Sequence, residues 1–316
     1  MKHRFTKRNL LKLILATIAF YALLAMNIFH VGEKFAPMEK DYLWLEIPEV
    51  SGSKTTGQIY IDQAMQENEV HQAAEMSGSI KDQIGFQEIC TSNPILCNKI
   101  DFEGTYTDKQ KYLYLGNIFK VTNHIDDNLN TQQKVGNTID IIELNKTIGD
   151  RRGYATHDSI YVYLGAVANK QEFLELISHE IGHILDLGML EGTQKTKNKD
   201  FTEFGNAVFA DDDISLTYYA FSRQNETIRK AVDTKKDFCS GYGMSDPFED
   251  FAECFNLYLN HNSLFKQIAK ANKSLKKKYN FIARLFAGKY INDNKSNLTL
   301  IKSDLSRRPW DTTKIN

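Results

Sequence analysis

The feature that most constrains this chain is a helix-forming segment, residues 169–188, that must be buried although it carries ionisable side chains. Asn169 is a typical N-cap with Glu172 three residues later, and Gly188 is a typical terminator, so we predict a helix over about 170–187. Its apolar side chains recur at helical spacing and require burial in a core. They are Phe173, Leu174, Ile177, Ile181, Ile184 and Leu185.

Two histidines and a glutamate interrupt this apolar helix. His179 and His183 are four residues apart, so both imidazoles project from one face and can share one tetrahedral zinc ion. Glu180 then lies beside the metal, where it can accept a proton from bound water. The alternative is a pair of hydrogen-bonded core histidines. In an apolar helix that is shielded from water, such polar groups would lack hydrogen-bond partners, and a metal ion can take that place. We therefore predict one Zn²⁺ at this site.

A zinc site with an open position needs a third protein ligand. The extended pattern HExxHxxGxxH is absent, because Asp186 stands in place of its Gly and Met189 in place of its last His. Asp186 either orients a ligand or faces water, and both readings remain open. A second packed helix begins after the N-cap Asp246 and carries Glu249 and Glu253 on one face.

The segments HEIGHILD (179–186) and GYGMSDPFEDFAECF (241–255) resemble the zinc endopeptidase domain of the anthrax lethal factor family and of the clostridial proline-proline endopeptidases. The resemblance covers roughly residues 105–290. It implies that Glu249 is the third metal ligand and Glu253 an outer-sphere residue. It also implies that Tyr242, seven residues before Glu249, stabilises the charged reaction intermediate.

The rest of this region predicts a small sheet beside helices. Apolar spacing indicates an amphipathic helix over about 112–128, and β-rich runs follow at 138–144 and 159–165, separated by a turn-rich stretch. The expected fold is therefore α+β, a zincin-like metallopeptidase domain with a small mixed sheet. The run at 159–165 is either the edge strand that pairs with an extended substrate or an internal strand.

The N-terminus predicts export. Five basic residues precede an apolar run from Leu13 to about Val31, long enough to cross a bilayer. We expect a signal anchor or a cleaved signal peptide over 1–32. In either case the rest of the chain would lie outside the cytoplasm, on the membrane or secreted. A linker and small helical region of unknown role (33–104), the peptidase domain (105–290) and a polar tail (291–316) would follow.

The four cysteines are consistent with that compartment. We predict disulfides Cys90–Cys97 and Cys239–Cys254, with free buried thiols or a metal site as alternatives. Lys and Arg total 39 against 40 Asp and Glu, which argues against nucleic acid as a partner.

The expected function is a zinc endopeptidase that acts on extracytoplasmic proteins or peptides. The alternative is a surface binding or adhesion module that keeps the fold without turnover. Glu180 and Tyr242 favour the enzyme, because a purely structural metal site needs neither a base nor an open position.

Overall fold

A computed structural model describes residues 87–129, 133–148, 151–203, 205–230, 234–293 and 308–315. The chain divides into two compact units, Met1–Asp41 and Tyr42–Asn316, and all the described residues belong to the second. The predicted signal anchor, residues 1–32, lies outside the described residues, as does most of the region 33–104. No helix among the described residues has the length and apolarity that a membrane span requires.

The described elements form a mixed fold of helices around a small sheet, consistent with the expected peptidase domain. The strands are β1 (Ile100–Glu103), β2 (Ile141–Asn145), β3 (Gly153–Ala155) and β4 (Ser159–Tyr163). The helices are α1 (Pro94–Cys97), α2 (Asp108–Asn128), α3 (Val135–Thr138), α4 (Lys170–Ile184), α5 (Ile214–Tyr219), α6 (Pro247–Asn260), α7 (Asn262–Ala271) and α8 (Lys273–Leu285). Short 3₁₀ turns lie at Tyr242–Met244 and Thr312–Lys314.

The sheet has the order β1-β2-β4-β3. The pairs β1–β2 and β2–β4 are parallel, whereas β3 runs antiparallel to β4, with Tyr154 opposite Tyr161. The run at 159–165 is therefore an internal strand, and the idea that it forms the edge was wrong. Ile160 and Val162 on this strand are buried in the core. The two edge strands of the described sheet are β1 and β3, and β3 lies within the stretch that the sequence pattern marks as turn-rich.

Helix α4 begins as predicted, because the Asn169 side chain accepts a hydrogen bond from Glu172 N at 2.9 Å. Its end differs from the prediction. The α-helix stops at Ile184 and continues as a π-helical turn over Leu185–Met189. Gly188 lies inside that turn, where an added Cβ would come within 2.5 Å of the His157 carbonyl oxygen. Close backbone packing, rather than helix termination, therefore requires glycine here.

Helix α6 packs directly against α4. Asp246 Oδ1 caps its first turn by accepting from Phe248 N and Glu249 N at 2.9 and 2.8 Å, as the sequence predicted. At Gly182 of α4, a Cβ would lie 3.1 Å from Ala252 Cα. The missing side chain therefore lets the two helix backbones approach closely. This contact brings the histidine face of α4 against the carboxylate face of α6.

Both predicted disulfides are present: Cys90–Cys97 and Cys239–Cys254. The second joins the loop before Tyr242 to α6, next to Glu253. Both of its cysteines are fully buried. It therefore fixes the position of this loop relative to α6.

Removing the second disulfide is expected to destabilise the fold. Replacing Cys239 and Cys254 by alanine should lower the free energy of unfolding by about 3 kcal/mol, the loop-entropy value for a closed loop of this length. Urea unfolding followed by circular dichroism measures the change. Thiol titration of the native protein is the control. Rapid labelling of Cys239 or Cys254 without denaturant would contradict the pairing.

Part of the predicted polar tail is folded into the domain. Within residues 308–315, the side chains of Arg308, Thr312 and Thr313 are buried. Arg308 donates to the backbone oxygens of Phe238 and Lys236 at 2.9 and 2.8 Å. The compact domain therefore extends beyond residue 290, because these buried polar groups find their partners in the domain.

Candidate metal centre

Helix α4 places two imidazoles one turn apart on a buried face. His179 Nε2 and His183 Nε2 lie 3.2 Å apart, and the two residues are 5% and 8% exposed. The rings meet edge to face, with their centroids 4.9 Å apart. Both ring nitrogens therefore face the same small space beside the helix, as the HExxH spacing predicts.

Helix α6 brings a carboxylate to this space. Glu249 Oε2 lies 3.1 Å from His179 Nε2 and 3.5 Å from His183 Nε2. A tetrahedral zinc ion with bonds of about 2.0–2.1 Å separates its ligand atoms by about 3.3–3.4 Å. The three atoms form a triangle of that size. Glu249 Oε2 is buried without a hydrogen-bond donor. The residues present therefore fit a zinc ion.

Glu180 lies beside these three side chains, and we call the group of His179, Glu180, His183 and Glu249 the cluster. His179, Glu180 and His183 each offer an atom within 4.8 Å of the others, so these three residues could also hold a metal ion. The Glu249 oxygen is closer to both imidazole nitrogens, and we therefore assign Glu249 to the ligand triangle. Glu180 Oε2 is buried without a hydrogen-bond partner. Burial raises the pKa of the Glu180 carboxyl, which favours proton uptake.

Gly153 of β3 lies against Glu180, a contact that no sequence pattern indicates. A Cβ at Gly153 would meet Glu180 Oε1 at 2.9 Å and the Tyr161 carbonyl oxygen at 3.1 Å. The glycine therefore leaves the space that the Glu180 carboxylate occupies. It also brings the edge strand β3 against Glu180.

Glu253 lies on the far side of the His179 ring. Its Oε1 is 3.0 Å from His179 Nδ1, and its Oε2 accepts the backbone N–H of Thr312 at 2.8 Å. Glu253 is fully buried. A carboxylate behind a metal-binding imidazole fixes the ring orientation and raises its basicity. This is the position that the resemblance implied for Glu253.

Tyr242 closes the cluster on the solvent side. Its hydroxyl donates to Glu249 Oε1 at 2.9 Å, and its ring stacks on His179 with the centroids 6.2 Å apart. Burial and the Glu249 charge raise the pKa of the Tyr242 hydroxyl well above its ordinary value, so it stays protonated. The residue is still 37% exposed. It is therefore a hydrogen-bond donor that faces both the cluster and the solvent.

The charges in the cluster depend on one another. Burial lowers the pKa of His179, but the Glu249 and Glu253 carboxylates outweigh it and raise that pKa well above its ordinary value. Conversely, burial raises the pKa of Glu249, but the two imidazoles hold it well below its usual range. Protons and a divalent cation compete for the imidazole nitrogens, so cation binding releases protons and weakens as the pH falls.

Asp186 fulfils neither of the two roles that the sequence left open, orienting a metal ligand or facing water. Its side chain is fully buried, and Oδ2 accepts the Tyr219 hydroxyl at 2.5 Å. Among the described contacts it has no hydrogen bond to His179 or His183. Burial raises the pKa of Asp186 to about 7. It therefore neither faces water nor orients an imidazole by a hydrogen bond.

A cleft of about 990 Å³ opens over the cluster. Strand β3 borders it, together with Tyr242, Phe248 and residues from the 308–315 segment, including Trp310 and Lys314. The arrangement combines three atoms that could bind a metal ion, an adjacent carboxylate and a hydroxyl donor at the floor of an open cleft. A volume of this size lies within the range of ligand-binding clefts.

Residues 168–307 match a family model described as "Putative zinc-binding metallo-peptidase". The match covers 140 of the 316 residues, and it supports a zinc metallopeptidase family and therefore a hydrolase. It includes α4 and α6, and therefore every residue of the ligand triangle, but it excludes the sheet and residues 308–315. No curated protein and no solved structure matches the chain significantly.

Proposed function

We propose that this protein is a zinc endopeptidase that hydrolyses peptide bonds in extracytoplasmic proteins. The observation that carries the proposal is the convergence of His179 Nε2, His183 Nε2 and Glu249 Oε2 within 3.1–3.5 Å beside Glu180. These three residues would hold one Zn²⁺. When bound, zinc lowers the pKa of a coordinated water towards about 7 and polarises the peptide carbonyl.

Glu180 is the proposed general base. Its carboxylate would accept a proton from the attacking water and then deliver it to the nitrogen of the leaving amine. The raised pKa of the buried carboxyl supports this cycle, because a stronger base takes up the proton more readily at neutral pH. Its unpartnered Oε2 is free to make the new hydrogen bond.

Tyr242 is the proposed donor to the carbonyl oxygen of the substrate. Its protonated hydroxyl lies beside the ligand carboxylate and at the cleft surface, so it can stabilise negative charge as it develops on that oxygen. The position of Tyr242 supports the narrower proposal of a lethal factor-like or proline-proline endopeptidase-like enzyme. The intact Glu180 and Tyr242 also favour an enzyme over an adhesion module.

The edge strand β3 is the proposed binding surface for the substrate backbone. It is the strand that borders the cleft, and an extended peptide can add to a free edge through main-chain hydrogen bonds. The run at 159–165, the other candidate for this role, is internal to the sheet.

An extracytoplasmic location remains a proposal. The two disulfides support it, since such bonds persist in oxidising compartments. The basic and apolar residues of the segment 1–32 support export and attachment to a membrane.

The test is a cleavage profile of the full chain on a peptide library. We expect cleavage that stops when a chelator removes the metal and returns when one equivalent of Zn²⁺ is added back. Mass spectrometry of the products identifies the bonds cut, and metal analysis gives the zinc content. A protein that binds no zinc, or that cleaves equally well after chelation, would refute the proposal.

A further inference from the structure

The 308–315 segment joins the site from outside the region that matches the zinc metallopeptidase family. It is separated in sequence from α6 by more than forty residues, yet Trp310, Asp311, Thr313 and Lys314 border the cleft. Nothing in the ligand set or in the HExxH motif assigns it a role.

The segment pairs with the loop that carries Tyr242. Gly241 N donates to Pro309 O at 2.9 Å, and Tyr242 N donates to Trp310 O at 2.7 Å. The Trp310 ring lies directly on Gly241, where a Cβ would come within 2.4 Å of it. These contacts fix the backbone from which the Tyr242 side chain projects.

The same segment holds the carboxylate behind His179. Thr312 N donates to Glu253 Oε2 at 2.8 Å, while Glu253 Oε1 lies 3.0 Å from His179 Nδ1. The Thr312 hydroxyl donates to Glu253 O at 3.2 Å and accepts from Asn256 Nδ2 at 3.0 Å. A chain of contacts therefore runs from the backbone of residue 312 through Glu253 to the imidazole.

A partly buried ion-pair network anchors the segment at the other side. Arg152 forms a salt bridge with Asp311 and another with Glu172 of α4, the latter at 2.6 Å. Arg152 directly precedes Gly153 of the edge strand. Asp311 Oδ1 also accepts from Thr313 N at 2.8 Å, which fixes the turn that presents the Thr312 N–H.

We propose that the 308–315 segment is a positioning element of the active site, in which the backbone N–H of Thr312 holds the Glu253 carboxylate against His179. The inference rests on the proposed zinc-peptidase function, and it concerns the groups that hold the metal ligand His179 in place rather than the ligands themselves. Thr312 contacts neither substrate nor metal in this arrangement, and acts through Glu253.

Thr312→Pro removes the N–H with little conflict in backbone conformation. Thr312 is the first residue of the 3₁₀ turn, a position that accepts proline, and Asp311 has the extended conformation (φ −144°, ψ 123°) that residues before proline prefer. The proline ring takes the place of the proton and moves Glu253 Oε2 away. Thr312→Ala is the matched variant, because it loses the hydroxyl contacts but keeps the N–H.

The measurements are Zn²⁺ affinity by chelator competition, and kcat and KM on a peptide that the wild type cleaves. We expect Thr312→Pro to bind Zn²⁺ about tenfold more weakly than Thr312→Ala, with kcat about tenfold lower and KM little changed. In a Glu253→Ala background the two Thr312 variants should agree within about twofold, because the contact is already gone. If Thr312→Pro acted only by distorting the fold, the difference between the two Thr312 variants would persist in the Glu253→Ala background.

A second variant keeps the test decisive if Thr312→Pro fails to fold. Asp311→Asn keeps an oxygen to cap Thr313 but loses the charge that pairs with Arg152. We expect it to weaken Zn²⁺ binding about threefold with Glu253 present, and not in the Glu253→Ala background. Equal Zn²⁺ affinity of Thr312→Pro and Thr312→Ala, or a ratio unchanged by Glu253→Ala, would overturn the inference. A wild type without zinc or cleavage would instead refute the proposed function.

Discussion

We expect Glu180→Gln to lose turnover and keep its zinc. The substitution preserves the size of the side chain but removes the carboxylate that would accept the proton from the attacking water. General acid–base catalysis contributes about 10²–10⁴ to the rate, so kcat should fall by a factor in that range. The ligand triangle of His179, His183 and Glu249 does not include Glu180, so zinc content and affinity should stay near wild-type values.

Parallel measurements on one preparation decide the role of Glu180. Steady-state cleavage of a library-derived peptide gives kcat, and metal analysis after gel filtration gives the zinc content. Glu175→Gln is a useful control, since Glu175 is also buried on α4 but lies 2.8 Å from His261 Nε2 rather than in the cluster. If Glu180→Gln released the metal, Glu180 would be a ligand, as the alternative cluster of His179, Glu180 and His183 permits. If it cleaved normally, another group would be the base.

The local part of the site could be predicted from the sequence because helical geometry fixes it. Residues four apart lie on one face of a helix, so His179 and His183 had to converge, and Asp246 with Pro247 marked where α6 begins. The resemblance to known peptidases then selected Glu249. No local rule states that α4 and α6 touch. That contact depends on packing at Gly182 against Ala252, between residues 70 positions apart.

The sheet edge was harder to predict. β3 spans only Gly153–Ala155, which is too short to show an alternating pattern, and the glycine within it reads as a turn. Strand order is also a long-range property. The strong β pattern at 159–165 gave no information about whether another strand would pair outside it.

The 308–315 segment was missed for a similar reason. Its polar composition resembles an exposed tail, and only the partners of Arg308, Asp311 and Thr312 reveal that it is buried. A polar group in a protein interior is satisfied by partners that sequence spacing does not identify. The disulfides were predictable because only three pairings exist and the local ones close short loops.

We expect Glu249→Ala to lose zinc far more severely than Glu253→Ala, although the two glutamates lie one turn apart on α6. Glu249 Oε2 faces both Nε2 atoms at 3.1 and 3.5 Å, whereas Glu253 Oε1 faces His179 Nδ1, the nitrogen on the opposite side of the ring. Four-ligand zinc sites bind with about 10–16 kcal/mol, so one ligand accounts for about 3 kcal/mol, or about a hundredfold in affinity.

Loss of the Glu253 contact with His179 Nδ1 should lower the zinc affinity about tenfold, because it changes only the orientation and basicity of one imidazole. Competition with a chelator of known affinity measures both variants, and circular dichroism checks that each retains the fold. Equal losses would mean that the two carboxylates share the metal. A larger loss at Glu253 would reverse the assignment and would place the third ligand on the Nδ1 side of His179, where the Thr312 N–H already occupies the other carboxylate oxygen.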